Sequence, residues 1–447
     1  MSALTQYINL FEANREVIDA NSAPVLNVLR PAALEVLKQS SLPRRGEEGY
    51  EKTDLEEWFA PDFGLNISRV NIPVDIAKSF KCDVPNLSTL LGLVINDTFV
   101  PTSTLRANLP EGVIVTSLRQ AAIEHHDLIA AHYGKIASAN DAATALNTLL
   151  AQDGVFIYLG RGIKVERPIQ IVNISSSPVA QMSVRRILII AEAGSSADIL
   201  LCDHSQGESA YLTAQVIEAD IQRDAAVNII DLEETTPLTR RLNQFYARQH
   251  DNSQLALTEA TLLNGQTRNE LTADINGSHA YCRLNGIAIG RDSQLIDNCS
   301  NVIHAHGDSR SNQLFRYVLD HHSIGSFEGG IEVAPGASHT EAYQSNGNVL
   351  ASPDARMHTK PRLLIYNDDV KCSHGASTGQ LDESALFYMQ TRGIPRHEAE
   401  QMLMEAYVAD VLAHVNPVIV RDRLSHLISK RFSGTLATCH SCSTSCK

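Results

Sequence analysis

Ile169-Gln-Ile-Val-Asn-Ile174 and Ile187-Leu-Ile-Ile190 belong to a succession of short β-branched runs that starts at Val155 and ends near Leu364. Val155–Leu159, Ala226–Ile230, Ala280–Leu284 and Gln294–Asp297 repeat the pattern, and helical spacing is largely absent between them. Small polar turn pairs recur at Gly277-Ser278, Asp292-Ser293, Asp308-Ser309, Gly336-Ala337, Pro353-Asp354 and Asp368-Asp369, at a loosely even step broken only by a double-length gap between Asp308 and Gly336. That gap reads as two steps with one unmarked turn near Ser323. Regular short strands without long intervening helices suit a β-solenoid, a sandwich or a propeller. Stacked coils prefer ladders of Ile, Val, Leu and Ala to bulky rings, and only 5% of the residues are aromatic, so the solenoid is favoured.

Helical spacing flanks this core. Leu4, Tyr7, Ile8 and Phe11 share one helical face, Leu34 and Leu37 continue after Pro31, and Leu118 to Ala151 is rich in alanine and leucine. Between Ser41 and Pro110 the pattern breaks around several Pro and Gly residues and reads as irregular, mixed structure. After Gly379, Asp382 caps a helix that stops at Gly393, and Pro395 opens a second. A third carries Val420, Leu424, Leu427 and Ile428 as a stripe suited to docking on its own domain or on another chain. The expected organisation is a helical and irregular region over 1–110, a β-solenoid core with a helical lead-in over 111–375, a helical region over 376–433 and a cysteine-rich tail over 434–447.

The 447 residues include 51 acidic and 37 basic side chains, a formal charge of −14 that argues against a nucleic-acid binder. Apolar runs are too short to span a membrane, and the amino terminus lacks the apolar core of a signal peptide, so the expected address is cytoplasmic with reduced thiols.

No phosphate-cradling loop exists, since Gly134-Lys135 is followed by Ile136 and lacks the upstream glycine and downstream hydroxyl. Gly375-Ala-Ser377-Thr-Gly379 fits the nucleophile-elbow spacing without the alternating α/β context an elbow needs, so a small-residue turn is the simpler reading. His304 and His306, two apart on a strand, would share a face with Cys299 nearby, although hydrogen-bonded or solvated histidines are the commoner case. The densest polar cluster is Asn367-Asp-Asp-Val-Lys-Cys372-Ser-His374-Gly375. If extended, it projects Cys372 and His374 to one side as half of an iron or zinc site, the other ligands coming from elsewhere or from a second subunit. Cys439, Cys442 and Cys446 have metal-prone spacing in a tail that reads as mobile. A polysaccharide-acting β-helix with Asp368 and Asp369 as acid and base is the enzymatic alternative, weakened because adjacent strand residues face opposite ways.

The run Asp368–Gly375, with Gly379-Gln-Leu-Asp382, Leu386-Phe387-Tyr388 and Arg392-Gly393-Ile394, resembles the SufB/SufD scaffold family of the SUF iron–sulfur cluster assembly system, and its SufD branch in particular. Leu146-Asn147, Asp153-Gly154, Gly162, Pro168, Val333–Ala337 and Gln344-Ser-Asn346 extend the resemblance from about Gly112 to Val411, while Tyr50 to Phe63 match weakly and the tail lies outside it. The resemblance implies a right-handed parallel β-helix with helical ends. It also implies a scaffold that is not an enzyme, paired with a SufB-type paralogue and the ATPase SufC, which assembles a transient iron–sulfur cluster at the scaffold interface. His374 matches the family's interfacial histidine, with Cys372 beside it. SufB carries glutamate at this motif and supplies its own cysteine. The region containing Asp382, Leu386, Phe387, Tyr388, Arg392 and Gly393 matches the docking region for the ATPase. A homodimer through the β-helix edge is possible for the isolated chain.

Overall fold

The computed structural model describes residues 2–70, 72, 89–137 and 139–434. From Gly154 to Gln380 the chain winds as a parallel β-solenoid in which each coil gives one strand to each of two sheets. One sheet runs from Gly154–Leu159 to Arg356–Ile365 and the other from Ile169–Ser176 to Val370–Gln380, eight strands apiece. A strand pairs with the one a full coil away: Tyr281–Gly290 lies beside Arg310–Leu319, not beside Leu295–His304, which follows it in sequence. Strands Leu90–Ile95 and Thr98–Pro101 extend one sheet at its amino-terminal end, and Val113–Ser117 closes the other antiparallel to Gly154–Leu159.

The period has a stereochemical origin at the corners. Asp224, Asn252, His279, Asp308 and His339 all have φ between 54° and 59°, and they recur at a nearly constant spacing. Asp, Asn and His are the non-glycine types that best tolerate this left-handed region. One coil therefore runs from one such corner to the next and contains two of the turns marked in the sequence. The turn unmarked there is Asp320–Ser323, closed by Ser323 N–H on the Asp320 carbonyl at 3.2 Å.

Alternation sorts each strand into a lumenal row and an outer row. Helices Ala3–Ala20, Arg30–Gln39 and Ala142–Leu150 cover the outer face of one sheet, packing Leu4, Phe11, Leu37 and Leu146 over Met182 and Leu212. Glu218 staples the preceding loop down: it accepts from the backbone N–H of Gly134, Ile136 and Ala137 and from the buried Arg186 guanidinium at 2.6 Å. Between residues 41 and 110, helix Leu55–Phe59 is capped by Asp54 and buries Trp58, giving more order than the broken pattern implies. Helices Arg396–Leu412 and Val418–Phe432 cover the other sheet, seating Val408, Leu424 and Leu427 on Leu200, Ile230 and Ile287. The apolar stripe of the last helix thus docks on its own solenoid. No helix among the described residues is long and apolar enough to cross a membrane.

Midway along, the lumen is charged. Arg241 donates to Asp203 at 2.7 Å and to Asp231 at 2.6 Å, and Arg185 meets the other Asp203 oxygen at 2.7 Å. Glu233 and Glu259 bring the acids to four against these two arginines, all buried. Burial pushes the Glu233 carboxyl up to about 7, against the pull of Arg241. Unfolding returns it to the ordinary range near 4.5, so its favourable contribution is full below that pH and is lost as pH rises through 7. Glu233→Gln should remove this loss. Urea denaturation at pH 4.5 and 8 should show the variant gaining up to about 3 kcal/mol on the parent over that interval.

Candidate functional site at the open end of the solenoid

Strand Val370–Gln380 pairs with Thr340–Leu350 in register from Val370 on Thr340 to Gln380 on Leu350. Among the described residues no strand pairs with its other edge, and the same holds for Arg356–Ile365, where Pro361 and Lys360 occupy the edge. Edge proline and lysine are the usual deterrents to indiscriminate strand addition. Cys372 lies opposite Ala342, and His374 opposite Gln344. Ala342 and Gln344 are both buried, which puts Cys372 and His374 in the lumenal row of a coil that no further coil covers among the described residues. Cys372 is half-buried against the Ile331, Val333 and Ala342 cluster, while His374 is exposed. Burial pushes the Cys372 thiol up, with a backbone hydrogen bond at Ala342 opposing.

Behind His374 stands a row of amides: Gln344, Asn346 and Asn348, each at most 4% exposed. Gln344 Oε1, Asn346 Nδ2 and Asn348 Oδ1 have no protein partner. The turn before the edge strand is clamped by His339, whose Nδ1 lies 3.0 Å from Asp308 and whose Nε2 lies 3.0 Å from Asp369. Asp369 thereby anchors a corner, which removes it from an acid–base pair with Asp368.

The remaining sequence candidates separate. Gly375–Gly379 lies inside the edge strand, so it is neither an elbow nor a turn, and the Ser377 carbonyl accepts from Asn348 Nδ2 at 2.9 Å. His304 points into the lumen between the Ser309 and Ser311 hydroxyls, at 2.7 and 2.8 Å, and burial holds its imidazole down at about 4. Cys299, earlier on the same strand and an odd number of positions away, belongs to the outer row, so the strand wall divides it from His304. Among the described residues no three His, Cys, Asp or Glu side chains converge to hold a metal ion. Cys439, Cys442 and Cys446 lie outside the described residues.

Asp382 caps helix Glu383–Thr391 by accepting from the N–H of Ser384 and Ala385, and Gly393 at φ 87° ends it. Leu386 is buried, whereas Phe387 and Tyr388 are 69% and 59% exposed, with the Arg392 guanidinium 5.2 Å over the Tyr388 ring. Gln344 and Asn346 were not legible as site residues, although a signal existed: Gln344 precedes His374 by one full coil.

These features define a class: a parallel β-solenoid with helices over both sheets and a last coil that leaves a thiol and an imidazole uncovered. The chain belongs to the SufBD family, for residues 172–407 match the family described as SUF system FeS cluster assembly, SufBD core domain. Residues 1–171 match the SufBD protein N-terminal region, which extends the likeness well beyond the weakly matching segment around Tyr50. A SufBD family iron–sulfur cluster assembly protein of Synechocystis is 25% identical, over 96% of this chain and 98% of its own. The iron–sulfur cluster assembly protein SufD of Bacillus subtilis is 26% identical over 91% and 94%, and SufD of Escherichia coli 27% over 65% and 69%. The protein is a subunit for SUF iron–sulfur cluster assembly, in a family of scaffold components that are not ATPases and work with SufB and SufC partners.

Native-state alkylation should follow this geometry. Cys202 and Cys282 are buried with their thiols pushed up, Cys282 to about 12, and burial likewise pushes the Cys299 thiol to about 12, against the pull of Arg268. Peptide mass mapping after brief iodoacetamide treatment should find Cys372 labelled at least about 10-fold faster than these three, because thiolate fraction and access set the rate.

Proposed function

We propose that this chain is the SufD-type member of a scaffold pair, joined to a SufB-type paralogue, and that a nascent iron–sulfur cluster is built as shared cargo where their solenoid ends meet. The observation that carries this reading is the uncovered lumenal row holding Cys372 and His374 at the free edge. Lys371-Cys372-Ser373-His374-Gly375 favours SufD over SufB, which has glutamate at the motif. The strand edges that are open among the described residues at this end offer backbone groups to a second solenoid end, and in the isolated chain they allow a homodimer.

His374 supplies a borderline nitrogen and Cys372 a soft sulfur to iron, while the paralogue completes the ligand set. The SufC ATPase docks on helix Glu383–Thr391 through Phe387 and Tyr388, and its nucleotide-driven movement opens the paired ends to iron and sulfur. The chain works in the cytoplasm and carries no nucleotide of its own.

His374→Ala should abolish cluster formation in the reconstituted complex, read by iron and sulfide content, while the three subunits still co-purify. Normal cluster maturation by this variant would end the interfacial reading. Phe387→Ala removes an exposed aromatic anchor and should weaken ATPase binding about 10-fold or more in titration calorimetry, with the melting temperature unchanged.

A further inference from the structure

Hydrogen-bond chemistry fixes which atom of the Gln344 amide meets Gln313 and which is left over. The Gly330 carbonyl only accepts, so the Gln313 atom that meets it at 2.8 Å is Nε2. Gln313 Oε1 then accepts twice, from Ser300 Oγ and from Gln344 Nε2, the latter at 3.1 Å. All three side chains are buried, and this chain leaves Gln344 Oε1 as an acceptor without a protein partner. The whole amide is held across the lumen against Gly329, where a Cβ would lie 2.2 Å from Gln344 Nε2 and 2.8 Å from its Oε1. A buried acceptor is satisfied only by a donor; none, His374 included, lies on Gln344 Oε1 in this conformation, and the next residue of the lumenal row is His374, whose backbone is one strand spacing of about 4.8 Å away and whose exposed side chain is free to turn inward.

We propose that Gln344 is a positioning residue for His374. Its Oε1 accepts the ring N–H on the lumen side, which fixes the tautomer and turns the lone pair of the other ring nitrogen out of the open end. A histidine offered to a metal commonly donates its second ring N–H to a carbonyl or carboxylate oxygen, which sets orientation and raises ligand basicity. The chain Ser300–Gln313–Gln344 supplies that oxygen from inside the scaffold instead of from a partner. The consequence for cluster building rests on the functional reading of His374, whereas the hydrogen bond does not.

The test uses the full-length chain labelled with ring-¹⁵N histidine, with the His374 signals assigned by their loss in His374→Gln. With spectra recorded at a pH where the ring is seen to have finished titrating, the parent protein should show one protonated and one unprotonated ring nitrogen, and Gln344→Met should move both toward values averaged over the two tautomers. If Gln344→Met does not fold, Gly329→Ala, which pushes the amide from its seat, should give the same shift. Unchanged His374 signals in Gln344→Met, or in Gly329→Ala should that be the variant read, overturn the proposal. So does an equal shift in Asn346→Leu, whose amide lies beneath Ala376, because it would report general loosening.

In the complete complex, Gln344→Met should slow cluster assembly by about 10- to 100-fold. If His374→Ala assembles clusters normally, the functional reading fails and the tautomer result stands. If His374→Ala abolishes assembly while Gln344→Met alters neither tautomer nor rate, this inference alone fails.

Discussion

The register between Thr340–Leu350 and Val370–Gln380 is the constraint on which the site depends. Parallel pairing in register carries the lumenal alternation of one coil onto the next, so a one-residue slip would send Cys372 and His374 to the outer face together. The register is held at its start by the corner clamp of His339 between Asp308 and Asp369, and farther along by Asn348, which donates to the Ser377 carbonyl and to Thr378. Corner and amide thus do for an edge strand what a packed neighbour does for an inner one.

A solenoid must also fill its lumen, and this one changes character along its axis. The first coils are filled by Ile157, Ile171, Ile189 and Ile217, the middle by the Arg241 cluster, and the last by neutral amides and hydroxyls. The buried charges are a costly choice, since removing one partner of such a pair leaves the other unpaired at about 3–5 kcal/mol. Their position two or more coils from the open end keeps that penalty away from the region where water has access. Asn269 and Asn298 connect the two regimes, taking the Arg241 guanidinium on one side and handing on to Tyr317 on the other.

The sequence exposed much of this and hid the rest for physical reasons. Ile187–Ile190 and its counterparts were legible as strands because both faces of each are buried, and the turn pairs marked half-coils because the corners take small polar residues, at Asp292 and Asp308 in a positive-φ conformation. The edge strand was not legible as the end of the solenoid: Lys371, Ser373, Gly375 and Ser377 lie under no packing demand, so nothing selects apolar residues there. That Cys372 and His374 share a side followed from alternation alone. Gln344 and Asn346 escaped because an inward amide and an outward amide look alike in sequence, and only the full coil period, twice the spacing of the turn pairs, connects Gln344 to His374. The last helix stripe read as ambiguous between self and partner because Val420 and Leu424 would suit either surface, and the apolar outer row of the adjacent sheet decides for self.

The gradient from charges to amides bears on how an end coil can serve as a working surface. A site that is covered by a partner and then opened meets low and high dielectric in turn. A buried carboxylate there would change protonation at each transition, because desolvation shifts its pKa by units. Amides have no such response. Gln313, Gln344, Asn346 and Asn348 keep the same charge whether the end is wet or dry, and their mutual hydrogen bonds do not need water to form. The imidazole of His374 and the thiol of Cys372 are then the titratable groups in the lumenal row of the last strand, and they are the same two side chains that the proposed function would offer to iron and sulfur.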